Sequence, residues 1–275
     1  METTELEKLL EEDPRQSSRE LAVMLGVEHT TVLRHLHTLG KINIIGKWVP
    51  HKLSENNINQ RLTICISLLA KHKKKDFLWK IVTGDEKWVY YDNPQNKRQW
   101  LSPGQTSIQT PKRDIHGKKL MLCVWWDMKG ILYYELLEPK QRVNSTIYSD
   151  QLRRLSEKIE EKRPWNGHGA RPIILLHDNA RPHVAMETKE TILELGWEVL
   201  AHQAYSPDLA PTDYHLFRSL EHSLRETSFE NNQKLQNHLD LYFDSKPDSF
   251  YRDGIRQLPI RWQKALDNQG NYFDD

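Results

Sequence analysis

The sequence has no long hydrophobic segment, few cysteines and almost no net charge. No stretch approaches 18 consecutive apolar residues, and the first residues lack the apolar core of a signal peptide, so we expect neither membrane insertion nor secretion. The two cysteines, Cys65 and Cys123, lie in apolar runs, which favours buried thiols in a reducing compartment over a disulfide. The net charge of +1 gives no overall sign of a nucleic-acid partner.

The sequence does have a charged composition and enough length for two domains. Its 275 residues exceed one average domain, and charged residues make up 28% of them. Two stretches are locally basic. Residues 34–61 carry five Lys or Arg against one acidic residue, and residues 97–119 carry six against one. Such stretches can follow DNA phosphates, although ordinary solvated surface explains the charge equally well.

The first forty residues predict three short helices. Ser17 and Glu20 have the spacing of a capping box that opens the second helix, and Gly26 supplies a turn before the third. The third helix has an apolar face, which comprises Val32, Leu33, Leu36 and Leu39. A helix, a glycine turn and a short helix are typical of a helix-turn-helix, and we expect this small all-α domain to span residues 1–40.

The opposite face of the third helix carries polar side chains that can reach bases or phosphates. We predict DNA contacts from four of them, namely Thr30, Thr31, Arg34 and His37. A plain three-helix packing unit with a polar exterior is the alternative. Glu28 stands where a Ser or Thr cap is expected and is unfavourable toward phosphate.

Residues 41–76 predict a linker followed by a connecting helix. Lys47 in the linker is a further candidate DNA contact. The apolar positions of residues 54–75 recur at helical spacing. The basic cluster at residues 71–75 is either a nuclear-localisation patch or a solvated helix end.

The remainder of the chain, residues 77–275, alternates strand and helix patterns. This order predicts an α/β domain with a mixed sheet and helices on its faces. The predicted strands are residues 79–91, 120–126, 131–137, 172–177 and 197–201, and the predicted helices include 145–162, 184–195 and 212–224.

Three aspartates occupy informative places in that order. Asp85 lies on the first strand, Asp178 at the end of the buried strand, and Asp213 in the first turn of a following helix. Carboxylates of this kind can hold hard divalent cations for phosphoryl transfer. A single Asp is more often a turn, cap or surface group than a metal ligand. The local sequence around each aspartate therefore has to distinguish these roles.

Several long segments resemble the signatures of mariner-type transposases of the Tc1/mariner superfamily. They are VTGDEKWVYYDN (82–93), HDNARPH (177–183), YSPDLAPTDYHLF (205–217), the linker WVPHKL (48–53) and the ending GNYFDD (270–275). The spacing agrees with the family, since 34 residues separate Asp178 from Asp213.

The resemblance implies an RNase H-like catalytic domain in which Asp85, Asp178 and Asp213 bind two Mg²⁺ or Mn²⁺ ions. Such an enzyme hydrolyses double-stranded DNA at inverted terminal repeats and joins the 3′-hydroxyls to TA targets. It uses no small-molecule cofactor, acts in the nucleus and works as a homodimer, whose subunits are linked by a clamp loop. That loop corresponds to residues 92–118, in which Lys112 and Arg113 are candidate DNA contacts.

Residues beside two of the aspartates have possible supporting roles. Asn179 and Arg181 either position a phosphate or make structural hydrogen bonds. Asp208 is interpreted as a turn former in the SPD segment rather than as a fourth ligand.

The chain also departs from the family pattern. Relatives carry two helix-turn-helix units, and this sequence has room only for the second. Lys52 replaces the acidic residue usual in the linker motif. The family includes a transposase fused to a histone-methylating SET domain, and we expect no methyltransferase activity here.

Two alternatives to an active transposase follow. One is a truncated or domesticated remnant that binds specific DNA without full transposition. The other is an RNase H-type hydrolase of RNA, which shares the fold and the metals.

Overall fold

The computed structural model describes residues 3–42, 49–95, 98–169 and 171–273, and the chain divides into two compact units. The first unit comprises residues 1–49 and the second residues 50–275. Lys47 lies outside the described residues. No described helix is long and apolar enough to cross a membrane.

The first unit contains three helices, α1 (Thr3–Glu12), α2 (Ser18–Met24) and α3 (His29–Thr38). The predicted capping box is present, because the Ser17 hydroxyl accepts from the Glu20 amide at 3.2 Å and the Glu20 carboxylate accepts from the Ser17 amide at 2.7 Å. Leu6, Leu21 and Val32 form the centre of the core.

The prediction for Leu33 was wrong. Its side chain is 46% exposed, whereas Val32 is buried. Successive helical residues are rotated by about 100° from one another, so a narrow core stripe on α3 cannot include both side chains.

The second unit begins with the connecting helix α4 (Glu55–Lys71), which packs against the last helix, α11 (Leu258–Asp267). Its apolar stripe faces the core, where Cys65 and Leu68 are buried. The linker helix is therefore part of the larger unit. Both cysteines are buried free thiols.

A five-stranded mixed sheet lies at the centre of this unit, as predicted. The strands are β1 (Ile81–Tyr90), β2 (Lys119–Asp127), β3 (Gly130–Leu136), β4 (Ile174–Leu176) and β5 (Glu198–Val199), in the spatial order β3-β2-β1-β4-β5. The pairs β1–β2 and β2–β3 are antiparallel, whereas β1–β4 and β4–β5 are parallel.

Helices cover both faces of the sheet, because successive strand residues point to opposite sides. Val82, Cys123 and Trp125 face the core beneath α5 (Ser145–Lys162) and α7 (Met186–Glu194). Ile81, Leu122 and Trp126 face the other core. The helices around that second core are α4, α8 (Arg218–Leu224), α9 (Asn232–Asp244), α10 (Asp248–Arg256) and α11.

Two predicted helices differ in detail. The helix expected over residues 184–195 begins earlier and is interrupted, because Ala185 has an extended backbone between α6 (Arg181–Val184) and α7. The helix expected over residues 212–224 opens with a π-helical segment, Thr212–Phe217, before α8. Single π turns of this kind are often found at functional sites.

Candidate active site

Two of the predicted aspartates are brought together by parallel strand pairing. In the register of β1 and β4, Thr83 lies opposite Leu176. Asp85 and Asp178 each follow two residues later, so they lie side by side just beyond the end of β4. Polar groups at the carboxyl end of a parallel strand lie where ligands commonly bind in α/β folds.

The third aspartate is positioned by its neighbour Thr212. The buried Thr212 hydroxyl accepts a hydrogen bond from Trp126 Nε1 at 3.1 Å and lies 3.4 Å from the Thr83 hydroxyl. These contacts anchor the π-helical segment to β1 and β2. Asp213 therefore lies near Asp85 on β1, close enough to raise the pKa of that carboxyl group.

The Asp85–Asp213 pair is crowded with negative charge. Burial raises the pKa of Asp85 well above its usual range, and the nearby Asp213 and Glu86 raise it further. Burial also raises the pKa of Asp213, to about 6, an effect that the interactions with Asp85 and Lys87 reduce only in part. Like charges held this closely resist ionisation unless a cation joins them.

Asp178 has different surroundings. Its side chain is 49% exposed, and its carboxylate Oδ1 accepts from His183 Nδ1 at 2.6 Å and from the Ala180 amide at 2.9 Å. Partial burial alone would raise the pKa of Asp178, but these hydrogen bonds outweigh burial and lower it. Asp178 is thus an ionised, accessible carboxylate beside the crowded pair.

His183 connects Asp178 to a residue that sequence reasoning missed, Glu86. Its Nε2 atom lies 3.2 Å from Glu86 Oε1. Burial lowers the pKa of His183, but the hydrogen bonds to Asp178 and Glu86 more than compensate and raise it to about 10. The strand alternation of β1 was the available signal, because it turns Glu86 to the face opposite Asp85.

The residues present fit a divalent cation. Carboxylates supply the hard oxygen donors that Mg²⁺ and Mn²⁺ prefer, and a cation would relieve the repulsion between Asp85 and Asp213. As the side chains stand, no group of three or more His, Cys, Asp or Glu residues within the described part of the chain is arranged to hold a metal ion. Consistent with this, the Asp178 carboxylate makes its short hydrogen bond to His183.

The two candidates for phosphate contact differ. The Asn179 amide donates to the His202 carbonyl at 2.7 Å, so it already holds the loop after β5. Arg181 is exposed, and no hydrogen-bond partner for it exists among the residues described.

The interpretation of Asp208 as a turn former was incomplete. Its carboxylate does not cap its own turn but forms an ion pair with Arg61, with Nη2 and Oδ2 2.6 Å apart. It is also no part of the aspartate cluster.

The predicted DNA-contacting residues lie on two surfaces. On α3, Thr30, Arg34 and His37 are exposed and Thr31 is half-buried. In the loop 92–118, Lys112 and Arg113 are exposed, and the Arg113 guanidinium lies 4.5 Å from the centre of the Tyr90 ring. The contacts of these residues with DNA stay predictions.

Comparison with known proteins identifies close relatives. A family model described as "Transposase (partial DDE domain)" matches residues 90–167. The chain is 44% identical over 273 residues to the Mariner Mos1 transposase of Drosophila mauritiana. The aligned region covers 99% of this chain and 79% of that protein. It is 41% identical over 274 residues to the Homo sapiens histone-lysine N-methyltransferase SETMAR, of which it spans only 40%.

Solved structures agree with the sequence relatives. The Mos1 transposase paired-end complex with the left transposon end matches with a TM-score of 0.91 at 45% identity, over 100% of this chain and 80% of that one. Mos1 mariner paired-end complexes with Mn and with Mg match equally well, with TM-scores of 0.91 at 45% identity over the same shares of both chains.

Proposed function

Because this chain belongs to the mariner-type transposases, we propose that it hydrolyses DNA at inverted terminal repeats and joins the freed 3′-hydroxyls to TA targets. It is a metal-dependent enzyme with an RNase H-like catalytic domain preceded by a helical DNA-binding domain. One observation carries the proposal. The parallel register of β1 and β4 places Asp85 beside Asp178, and the contacts of Thr212 with Thr83 and Trp126 bring the adjacent Asp213 toward Asp85.

In this proposal Asp85, Asp178 and Asp213 hold two Mg²⁺ or Mn²⁺ ions. When bound, a pair of such ions activates the attacking oxygen and stabilises the leaving oxygen. The protein holds the carboxylates ready for them through the Thr212 anchor and the parallel register of β1 and β4. Arg181, exposed beside Asp178, would pair with a phosphate of the bound strand.

The helix-turn-helix would bind the terminal repeat through α3. Thr30, Thr31, Arg34 and His37 share the face of that helix that can enter the major groove. Lys47, Lys112 and Arg113 would contact backbone phosphates, which add affinity without sequence preference.

A homodimer is the expected working form. The described part of the loop 92–118 exposes large apolar side chains, among them Trp100, Ile108 and Ile115. Apolar side chains gathered on one exposed loop indicate a protein partner, and a second copy of this chain is the simplest one. Light scattering of the wild type and of Trp100→Ser tests this. A monomeric wild type in the presence of terminal-repeat DNA would contradict it.

Nuclear localisation is proposed from the basic cluster after α4. Lys73, Lys74 and Lys75 are all exposed, whereas Lys71 pairs with Glu198 at 3.0 Å. Replacing these three lysines with Gln in a fluorescent fusion should move it out of the nucleus.

The decisive experiment measures DNA cleavage in Mg²⁺ by the wild type, Asp178→Asn and the control Asp150→Asn. The substrate is DNA that carries mariner-type inverted terminal repeats. Asp150 is an exposed carboxylate on α5, paired with Arg153 at 3.2 Å and remote in sequence from the cluster. We expect Asp178→Asn to lose cleavage and Asp150→Asn to keep it. Equal cleavage by all three proteins would remove the argument for this site.

A parallel reaction with an RNA–DNA hybrid distinguishes the other metal-dependent chemistry of this fold. Cleavage of the hybrid in preference to the terminal-repeat duplex would indicate an RNA hydrolase instead.

A further inference from the structure

Two residues on the other face of the sheet complete the surroundings of Asp178. We propose that His183 and Glu86 are positioning residues, which hold the Asp178 carboxylate for metal binding through a Glu86–His183–Asp178 chain of hydrogen bonds. The inference rests on the proposed function and deepens it, because Asp178 is one of the three proposed ligands.

The alternation of side chains along β1 separates Glu86 from Asp85. Lys87, two residues beyond Asp85 and on the same face, contacts Glu221 of α8 at 3.4 Å. Glu86 points the opposite way, toward α6, where it contacts His183. Asp178, just beyond the end of β4, is therefore approached by the Asp85–Asp213 pair from one face and by His183 from the other.

The position of His183 is tightly defined. The residue is 3% exposed, and its ring packs against Tyr148 and His177, with ring centres 4.0 and 5.1 Å away. A hydrogen bond of 2.8 Å joins Tyr148 to His177 and fixes those two rings to each other. With its ring confined in this way, His183 presents Nδ1 to Asp178 at 2.6 Å and Nε2 to Glu86 at 3.2 Å.

Asp178 needs such support because half of its side chain is exposed. A second hydrogen bond comes from the Ala180 amide to the same oxygen, Oδ1. Both bonds to Oδ1 hold one edge of the carboxylate and leave Oδ2 as the available edge. Partners that orient a metal ligand in this way typically contribute roughly 10–100-fold to metal affinity or activity.

A pair of near-isosteric substitutions tests the hydrogen bond rather than the ring. The side-chain amide nitrogen of Asn can occupy the position of His183 Nδ1, so His183→Asn keeps a donor for Asp178. The side-chain amide nitrogen of Gln occupies the position of Nε2 instead, so His183→Gln loses that donor. We expect His183→Gln to weaken Mn²⁺ binding and to raise the half-saturating Mg²⁺ concentration for cleavage by roughly 10–100-fold. His183→Asn loses as much of the ring but should stay closer to the wild type.

Substitutions of Glu86 test the second link of the chain. Glu86→Gln keeps an acceptor for Nε2 and loses only the charge, so it should weaken Mn²⁺ binding less than Glu86→Ala. The matched control is Glu135→Gln. Glu135 also lies in the sheet but pairs with Arg154 at 3.1 Å instead of His183, and its replacement should leave metal binding unchanged.

Mn²⁺ binding is measured on the full chain by the electron paramagnetic resonance signal of free Mn²⁺, after circular dichroism has shown that each variant is folded. If the His183 variants fail to fold, Glu86→Ala decides. The proposal would be overturned if folded His183→Gln bound Mn²⁺ as tightly as the wild type. If the His183 variants do not fold, wild-type Mn²⁺ affinity in Glu86→Ala would overturn it. Failure of the proposed function looks different, because Asp178→Asn would then bind Mn²⁺ as tightly as the wild type.

Discussion

Arg61 and Asp208 form a bidentate ion pair in the interior, with Nη1 and Nη2 of the guanidinium 2.9 and 2.6 Å from the two carboxylate oxygens. The Arg61 side chain is completely buried and also donates to the Gly270 carbonyl and to the Ser206 hydroxyl, each at 2.7 Å. One side chain thus ties α4 to the turn that precedes Asp213 and to the segment that follows α11.

Asp208→Ala should destabilise the protein strongly. The substitution leaves the buried Arg61 guanidinium without its counter-ion, and breaking a buried pair in this way costs about 3–5 kcal/mol. Urea unfolding of the full chain, followed by circular dichroism, measures the loss. The control is Glu161→Gln, which breaks an exposed pair with Lys158 and should leave the unfolding midpoint unchanged. A midpoint of Asp208→Ala close to that of the control would contradict the prediction.

Gly84→Ala should disturb both the sheet and the site. A Cβ atom at this position would lie 2.3 Å from Cδ1 of Trp125, whose side chain is completely buried and cannot move aside freely. Overpacking of this kind costs about 1–3 kcal/mol, and the displacement falls on the residue next to Asp85. We expect a lower melting temperature and slower cleavage. Trp125→Phe added to Gly84→Ala should restore part of both, and no restoration would show that the clash lies elsewhere.

The two thiols should be inert in the folded protein at neutral pH. Burial raises the pKa of Cys65 to about 11 and raises that of Cys123 further, so neither is a thiolate near pH 7. A chromogenic disulfide reagent at pH 7.5 should report both thiols in urea and none in buffer. The rate of Cys65 alkylation should increase only as the pH approaches the raised pKa of this thiol. Rapid reaction of either thiol in buffer would argue against the burial.

Much of the fold could be predicted from local patterns. The α5 pattern predicted a helix over residues 145–162, as observed, and apolar runs located β2 and β4. The meeting of Asp85 with Asp178 was expected only from the family resemblance, because local patterns do not give the parallel pairing of β1 with β4 that brings them together.

What could not be predicted depends on partners distant in the chain. Arg61 is one of the basic residues of the stretch 34–61, for which the sequence predicts phosphate contacts or solvated surface. It is buried instead, and its partner Asp208 lies 147 residues away in the chain. The role of Glu86 likewise requires His183, 97 residues further on. The break between α6 and α7 at Ala185 could not be predicted either, because neither Pro nor Gly stands at that position.

Arg34→Ala should weaken DNA binding by removing one phosphate or base contact. Arg34 is exposed on the polar face of α3. If it contacts a phosphate, affinity should fall about equally for specific and nonspecific DNA, and the slope of log affinity against log salt should decrease by about 1. If it contacts a base, the loss should concentrate on terminal-repeat DNA. Titrations by fluorescence anisotropy at several salt concentrations distinguish these outcomes. Lys8→Ala, on the exposed side of α1, is the control, and equal affinities for both variants would remove Arg34 from the interface.

Asp213→Asn should stabilise the metal-free protein while abolishing its response to metal. In the wild type, Asp213 lies close to the buried Asp85 and raises the cost of ionising that carboxyl group. Replacing one carboxylate by an amide of the same shape removes this repulsion, which should increase the free energy of unfolding in EDTA by about 1 kcal/mol. Adding Mg²⁺ should then raise the melting temperature of the wild type, because a ligand that binds only the folded state stabilises it, and should have little effect on the variant. Asp150→Asn should behave as the wild type does in both conditions. A variant that is less stable than the wild type in EDTA, or that gains as much stability from Mg²⁺, would show that the two carboxylates do not form the centre of a metal site.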